Sequence, residues 1–166
     1  MRYIGVLILF IGLGLSCNLH KREDAQKMAN DLTAINDSLN YYGKAWGEEF
    51  SVAVKTRDFT HLSPLRTELD DYLNRKSVSV QTMKDVSCSE ELRTSVLDIL
   101  KFEKDVILPK MSAFESFDST TADDAIKAAF NEMMATTKTD VAKHDTMFLR
   151  LDEYAEKNDF PKVLTK

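Results

Sequence analysis

Residues 28–54 read MANDLTAINDSLNYYGKAWGEEFSVAV. Large apolar side chains fall at Met28, Leu32, Ile35, Leu39, Tyr42, Trp46, Phe50 and Val54, in steps of three and four. An α-helix turns once every 3.6 residues, so those steps place all of them on one face. A strand would need sustained alternation by two, and this stretch has none. The pattern runs from about Arg22 to Lys55, and at 1.5 Å per residue it predicts a first helix about 50 Å long.

Three more stripes lie beyond it. The second takes in Leu62, Leu65, Leu69, Leu73, Val80 and Met83, with Lys76 in register. Ser63 as N-cap with Pro64 at N1 could start it, although Leu62 suggests an extra turn before Pro64. Ser77-Val78-Ser79-Val80 alternates as a strand would, but over four residues only. Ser87-Cys88-Ser89-Glu90 fits a capping box, Ser87 as N-cap and Glu90 at N3. It opens a third helix striped by Leu92, Val96, Ile99, Phe102, Val106 and Lys110, flanked by Leu100 and Ile107. Pro109 inside that pattern predicts a kink or early fraying. Met111, Phe114 and Phe117 carry the apolar face to a loop at 116–121.

Thr121 with Asp124 is expected to cap the last helix. Its stripe is Ile126, Phe130, Met133, Thr137, Val141, His144, Phe148, Leu151 and Ala155, and it should fray near Asn158 before Pro161. The composition agrees: 5 Gly and 3 Pro in 166 residues leave few breakers. Four amphipathic helices with short connections bury their stripes most economically as an all-α, antiparallel up-down-up-down four-helix bundle with long helices. The bundle is expected over 25–160, with a C-terminal tail at 161–166.

Ahead of the bundle, Met1-Arg2 precedes an uncharged, mostly apolar run from Tyr3 to Leu15. A helix needs about 20 such residues to cross a bilayer, whereas a positive start, a short apolar core and small residues before a break describe an export signal. Gly14-Leu15-Ser16 then meets Cys17, which resembles the lipobox of bacterial lipoprotein signals, where the cysteine is acylated and the chain cut just before it. That pattern usually has Leu three residues and a small residue two residues before the cysteine; here they are Gly14 and Leu15. Gly14 and Ser16 also satisfy ordinary signal peptidase, which would cut the same bond. The resemblance makes 1–16 a lipoprotein signal peptide, Cys17 the lipidation site and 17–24 a lipid-anchored tether; plain secretion and an uncleaved anchor are the alternatives. Within the tether, Lys21-Arg22-Glu23-Asp24 is either a solvated first turn or a charged sorting signal for the outer face of the outer membrane.

The chain carries a formal charge of −5, and loss of Arg2 with the leader makes it −6. Nucleic acid and anionic membrane faces both call for a basic surface, so neither is an expected partner. Chemistry is equally sparse. No Glu-x-x-His exists for a di-metal carboxylate centre, and the stripes as drawn carry no carboxylate facing inward. Cys-x-x-Cys-His, glycine-rich phosphate loops, His-Glu-x-x-His and EF-hand loops are absent. His20 falls in the tether, and His61 beside Asp58 suits a cap or surface. His144 lies on the apolar stripe with Asp140 one turn before it, either a satisfied core histidine or half of a ligand pair. Cys88, at a helix start, lacks an identifiable catalytic partner. Tyr42 and Trp46 belong to the packing stripe, and the acidic doublets such as Glu48-Glu49 and Asp70-Asp71 read as solvated faces. Asp118-Ser119-Thr120 reads as a loop, although it also looks like an O-glycosylation site of some lipoprotein-rich bacteria.

With the lipobox, "AINDSLN" at 34–40, "RDFTHLSPLRTEL" at 57–69 and "LDEYAEKNDF" at 151–160, the chain resembles a leptospiral-type family of small bacterial surface lipoproteins. The resemblance implies a helical bundle on a membrane, no assigned activity and no catalytic residues. The expected function is therefore a non-catalytic binding or structural module of the cell envelope. It would be lipid-anchored to a membrane, with the outer membrane favoured and an envelope protein as candidate partner. No catalytic residue, cofactor or metal is expected. The alternatives are a small-ligand or metal-binding bundle with a site near His144 and Asp140, and an enzyme using Cys88.

Overall fold

The computed structural model describes the backbone of residues 4–162 and the side chains of residues 21–162. The expected leader, Cys17 and His20 lie outside the described side chains. Every element among the described residues is helical: α1 (Ile4–Thr56), α2 (Leu62–Thr82), α3 (Glu90–Phe102), a π turn (Glu103–Ile107), α4 (Leu108–Ser112), a 3₁₀ turn (Ala113–Ser116), α5 (Asp123–Met134) and α6 (Thr137–Lys157). No helix among the described residues is long and apolar enough to cross a membrane. Helix α1 includes the segment expected as a tether. Residues 21–24 are exposed, and burial starts at Ala25.

The α1 stripe is buried as its spacing implies, from Met28 through Leu32, Ile35 and Leu39 to Trp46. Helix α2 contributes Leu62, Leu69, Leu73 and Val80. It begins at Leu62, two residues before Pro64, because Leu62 and the neighbouring Phe59 are both drawn into the core. Pro64 is tolerated there, since first-turn N–H groups lack intrahelical acceptors anyway. The strand-like alternation at 77–80 is helix: Val80 is fully buried and Val78 is 61% exposed.

At the head of α3 the expected capping box is absent. Ser87 and Cys88 both have positive φ, 50° and 63°, and Ser89 is the N-cap residue, without a side-chain cap of its own. Asp85 organises the turn instead. Its Oδ1 accepts from Ser89 N at 2.8 Å and from Ser89 Oγ at 2.9 Å. Likewise Thr121 does not cap α5, whose N-cap is Ala122. Thr121 Oγ1 accepts from Asp118 N at 2.9 Å, closing a turn in which Asp118 Oδ1 takes up Thr120 N at 2.8 Å.

Pro109 neither breaks the third helix nor frays it. A proline lacks an N–H and crowds the carbonyl four residues before it. The chain responds by widening one turn: Leu108 N–H reaches back five residues to the Glu103 carbonyl, a π turn. Beyond Pro109 the helix continues through Met111 and ends on Phe114, both buried. Phe114 anchors an aromatic cluster, with ring centroids 4.7 Å from Phe50, 5.6 Å from Trp46 and 5.6 Å from Phe117.

The expected fourth helix is two helices. At Ala135-Thr136 the turn tightens, with Thr136 N bonded to Met133 O at 3.1 Å, before α6 starts. Leu151 and Ala155 are buried as the stripe predicts, and Met147 and Tyr154 join them, whereas Val141 is 51% exposed. The inward face of α6 thus runs through 140, 144, 147 and 151, with a step of three from 137 where the expected stripe took four. Helix α1 packs on α2, α2 on α3, α3 on α6 and α6 back on α1, and α5 lies across α4. A single apolar core joins them.

Candidate functional site

Between the middle of α1, the π turn and the start of α6 lies a pocket of about 310 Å³. Its apolar wall includes Leu39, Trp46, Ile107 and Met133. Its polar end is Glu103, Asp140 and His144. One ligand-capable atom from each of these three lies within 4.8 Å of the other two.

The sequence brings them together in two ways. Counting from Leu100 through Ile107, Met111 and Phe114, a stripe at steps of three and four passes through Glu103. The alternative stripe through Ile99, Phe102, Val106 and Lys110 leaves Glu103 out. The alternative stripe is buried as far as Ile99; beyond it the first takes over, with Met111 and Phe114 buried and Ile107 packed on the core, while Phe102, Val106 and Lys110 are half-buried. On α6, Asp140 and His144 lie one turn apart, in line with buried Met147. The expectation that no carboxylate faces inward is therefore overturned, by Glu103 and by Asp140.

Electrostatics at this end arise from crowding. His144 Nδ1 is 2.5 Å from Oδ1 of Asn36 on α1, which is only 4% exposed. Because a carbonyl oxygen only accepts, the imidazole donates from Nδ1 and Nε2 is left facing Asp140. Nε2 is 3.3 Å from Asp140 Oδ1, an ion-pair distance that lacks hydrogen-bond alignment, so this buried oxygen has no hydrogen-bond partner. Contact with the Asp140 carboxylate, opposed by burial, holds the imidazole above its ordinary value; the charges of Asp140, Glu103 and Asp145 add to the effect. Burial pushes the Glu103 carboxyl up to about 7, repulsion from Asp140 adds to this, and His144 partly offsets it. Trp46 is 3% exposed, and its Nε1 likewise lacks a partner. Such unmatched polar atoms are unusual in a folded interior and call for an explanation.

Of the residues singled out from sequence, His144 and Asp140 do meet, and Glu103 and Asn36 join them unforeseen. Trp46 stacks on Phe50 at 5.2 Å and forms part of the pocket wall. The other candidates stay apart from this site. His61 is exposed, 3.7 Å from Asp58. Cys88 is an exposed free thiol at a turn. Tyr42 packs on Tyr72 at 5.2 Å, as a packing residue does. Ser119 is exposed in the Asp118 turn. The signal for Glu103 was available in the flanking pair Leu100 and Ile107. Asn36 carried none, since a polar residue beside Ile35 looks like any stripe edge.

No protein-family model, no curated protein and no solved structure matches this chain.

Proposed function

We propose that this chain is a lipid-anchored lipoprotein of the bacterial cell envelope, a helical bundle that acts by binding and not by catalysis. The anchor reading is supported by the sequence around Cys17 and by where burial starts, at Ala25, beyond an exposed charged stretch at 21–24. An up-down-up-down arrangement is part of the proposal, supported by the closed ring of contacts from α1 through α2, α3 and α6. The kinship with leptospiral-type surface lipoproteins stays within the proposal as well. An acylated cysteine provides the two or more lipid signals that stable anchoring requires.

The observation that favours a binding module over a passive strut is the pocket at Glu103, Asp140 and His144. Small-ligand sites are concave, mainly apolar, and carry a few convergent polar groups, a description that this pocket meets. The anchor is tested by labelling cells with radioactive fatty acid, with Cys17→Ser as control, followed by protease shaving of intact cells. Absence of label on the wild-type chain overturns lipidation, and protection from protease excludes surface display. The pocket is tested by a fragment screen that follows the Trp46 indole resonance by NMR. If no fragment shifts it, the binding reading fails.

A further inference from the structure

We infer that the Glu103 carboxylate, the Asp140 carboxylate and His144 Nε2 are the ligands of one divalent transition-metal ion, with zinc as the type. This rests on reading the pocket as a ligand site and does not depend on the lipid anchor. Three observations converge on it.

The first is geometry. The three ligand atoms come from two elements, the π turn and α6, and lie within 4.8 Å of one another. A tetrahedral ion with bonds of about 2.0 to 2.2 Å holds its ligand atoms roughly 3.3 to 3.6 Å apart. Spacings of up to 4.8 Å exceed this by about an ångström, a gap that rotation of the three side chains can close. The second is orientation. Metal-bound histidines commonly donate their other ring N–H to a fixed acceptor, which sets the tautomer and aims the lone pair. Buried Asn36 Oδ1, 2.5 Å from His144 Nδ1, is that acceptor. With Nδ1 held as the donor, Nε2 is the nitrogen turned toward the carboxylates, and a metal ion would take the place of its proton.

The third is the unmet demand of the site. Two carboxylates face each other beside an imidazole, and Asp140 Oδ1 is buried without a hydrogen-bond partner. A divalent cation supplies the positive charge and the Lewis-acid partner that these groups lack. Mixed nitrogen and oxygen ligation suits zinc and its first-row neighbours, whereas calcium and magnesium take oxygen ligands. Three protein ligands leave at least one position open toward the pocket, as in zinc centres that exchange water or a small ligand. The unpartnered indole N–H of Trp46 lines the same pocket and can donate to an acceptor held at that open position.

The test is isothermal titration of the full chain, purified in detergent, with zinc chloride after chelator treatment. One zinc per chain is expected. Asp140→Asn, His144→Gln and Glu103→Gln should each weaken binding by more than tenfold, and Asn36→Ala by about 10- to 100-fold, the usual effect of losing a supporting partner. His61→Gln and His20→Gln should leave it unchanged. Circular dichroism checks that each variant folds; should His144→Gln fail, the two carboxylate variants, which keep size and shape, decide the matter. Absence of saturable binding overturns the inference, as does binding that survives both carboxylate substitutions. Fragments that shift the Trp46 resonance without any zinc binding would overturn the metal alone and leave the pocket standing. Silence in both experiments removes both.

Discussion

Replacing Glu103 with Gln should flatten the dependence of stability on pH. In the folded chain this carboxyl titrates near 7, against 4.5 for the unperturbed group. A group whose folded pKa is raised contributes stability that is complete below the unfolded value and is lost as pH rises through the folded one. The wild-type chain should therefore lose stability from about pH 4.5 to about pH 7. At about 1.4 kcal/mol per pH unit, the rise from 4.5 to about 7 caps the loss at about 3 kcal/mol. The pocket opens to water, which screens the charge, so about 1 to 2 kcal/mol is the expected size. His144, held above its ordinary value, acts with the same sign, its contribution disappearing as pH rises beyond 6.5. Carboxylates held below their usual range, Asp58, Asp85, Asp118 and Glu156, act at the opposite end. Their contribution is present above the unfolded pKa and is lost only in acid. The assay is urea unfolding followed by far-UV circular dichroism, in chelator, across that range. Glu103→Gln should match the wild type at the acid end and exceed it by about 1 to 2 kcal/mol above pH 7, leaving only the slope from His144. Parallel curves for the two proteins would refute the placement of Glu103 beside Asp140.

Other consequences can be measured in the same way. Phe114→Ala removes a fully buried ring that touches Trp46, Phe50 and Phe117, and should cost about 3 to 5 kcal/mol in urea unfolding. Gly47 lies inside α1 where an added Cβ meets nothing within 4 Å, so Gly47→Ala should raise stability by roughly 0.5 to 1 kcal/mol; a loss would mean that this face of α1 is covered. Ser89→Ala strips a buried hydroxyl that bonds Asp85 and Val86 N and should cost about 1 to 2 kcal/mol, with faster amide exchange at Val86. Leu73→Ala in α2, at a fully buried position, should cost about 2 to 5 kcal/mol, whereas Val78→Ala on the exposed side of the same helix should shift the unfolding midpoint little.

The helical class was legible because each stripe repeats at 3.6 residues over many turns, and amphipathic burial is what stabilises helices in a fold. The α1 and α2 stripes came through intact, even across the strand-like residues at 77–80, because Val80 is worth more in the core than alternation is worth alone. The caps were less legible. Ser87 and Thr121 have the residue types that caps need, yet Asp85 takes up the Ser89 N–H, and the Thr121 hydroxyl accepts from Asp118 N within the preceding turn instead of capping α5. Half of the site was visible in the spacing of Asp140 and His144. Glu103 was concealed by the choice between two overlapping stripes, which Leu100 and Ile107 decide only once the core is assembled.

The sequence by itself determined the all-helical class and the faces of the first two helices, because these depend on local periodicity and short-range order along one chain. Tertiary structure decided the phase of the later helices. Pro109 withholds a donor that a π turn absorbs, and the inward face of α6 passes through Asp140 and not Val141. Together they bring a carboxylate from the third segment within 4.8 Å of a carboxylate and an imidazole from the last, a meeting that no spacing along the chain encodes.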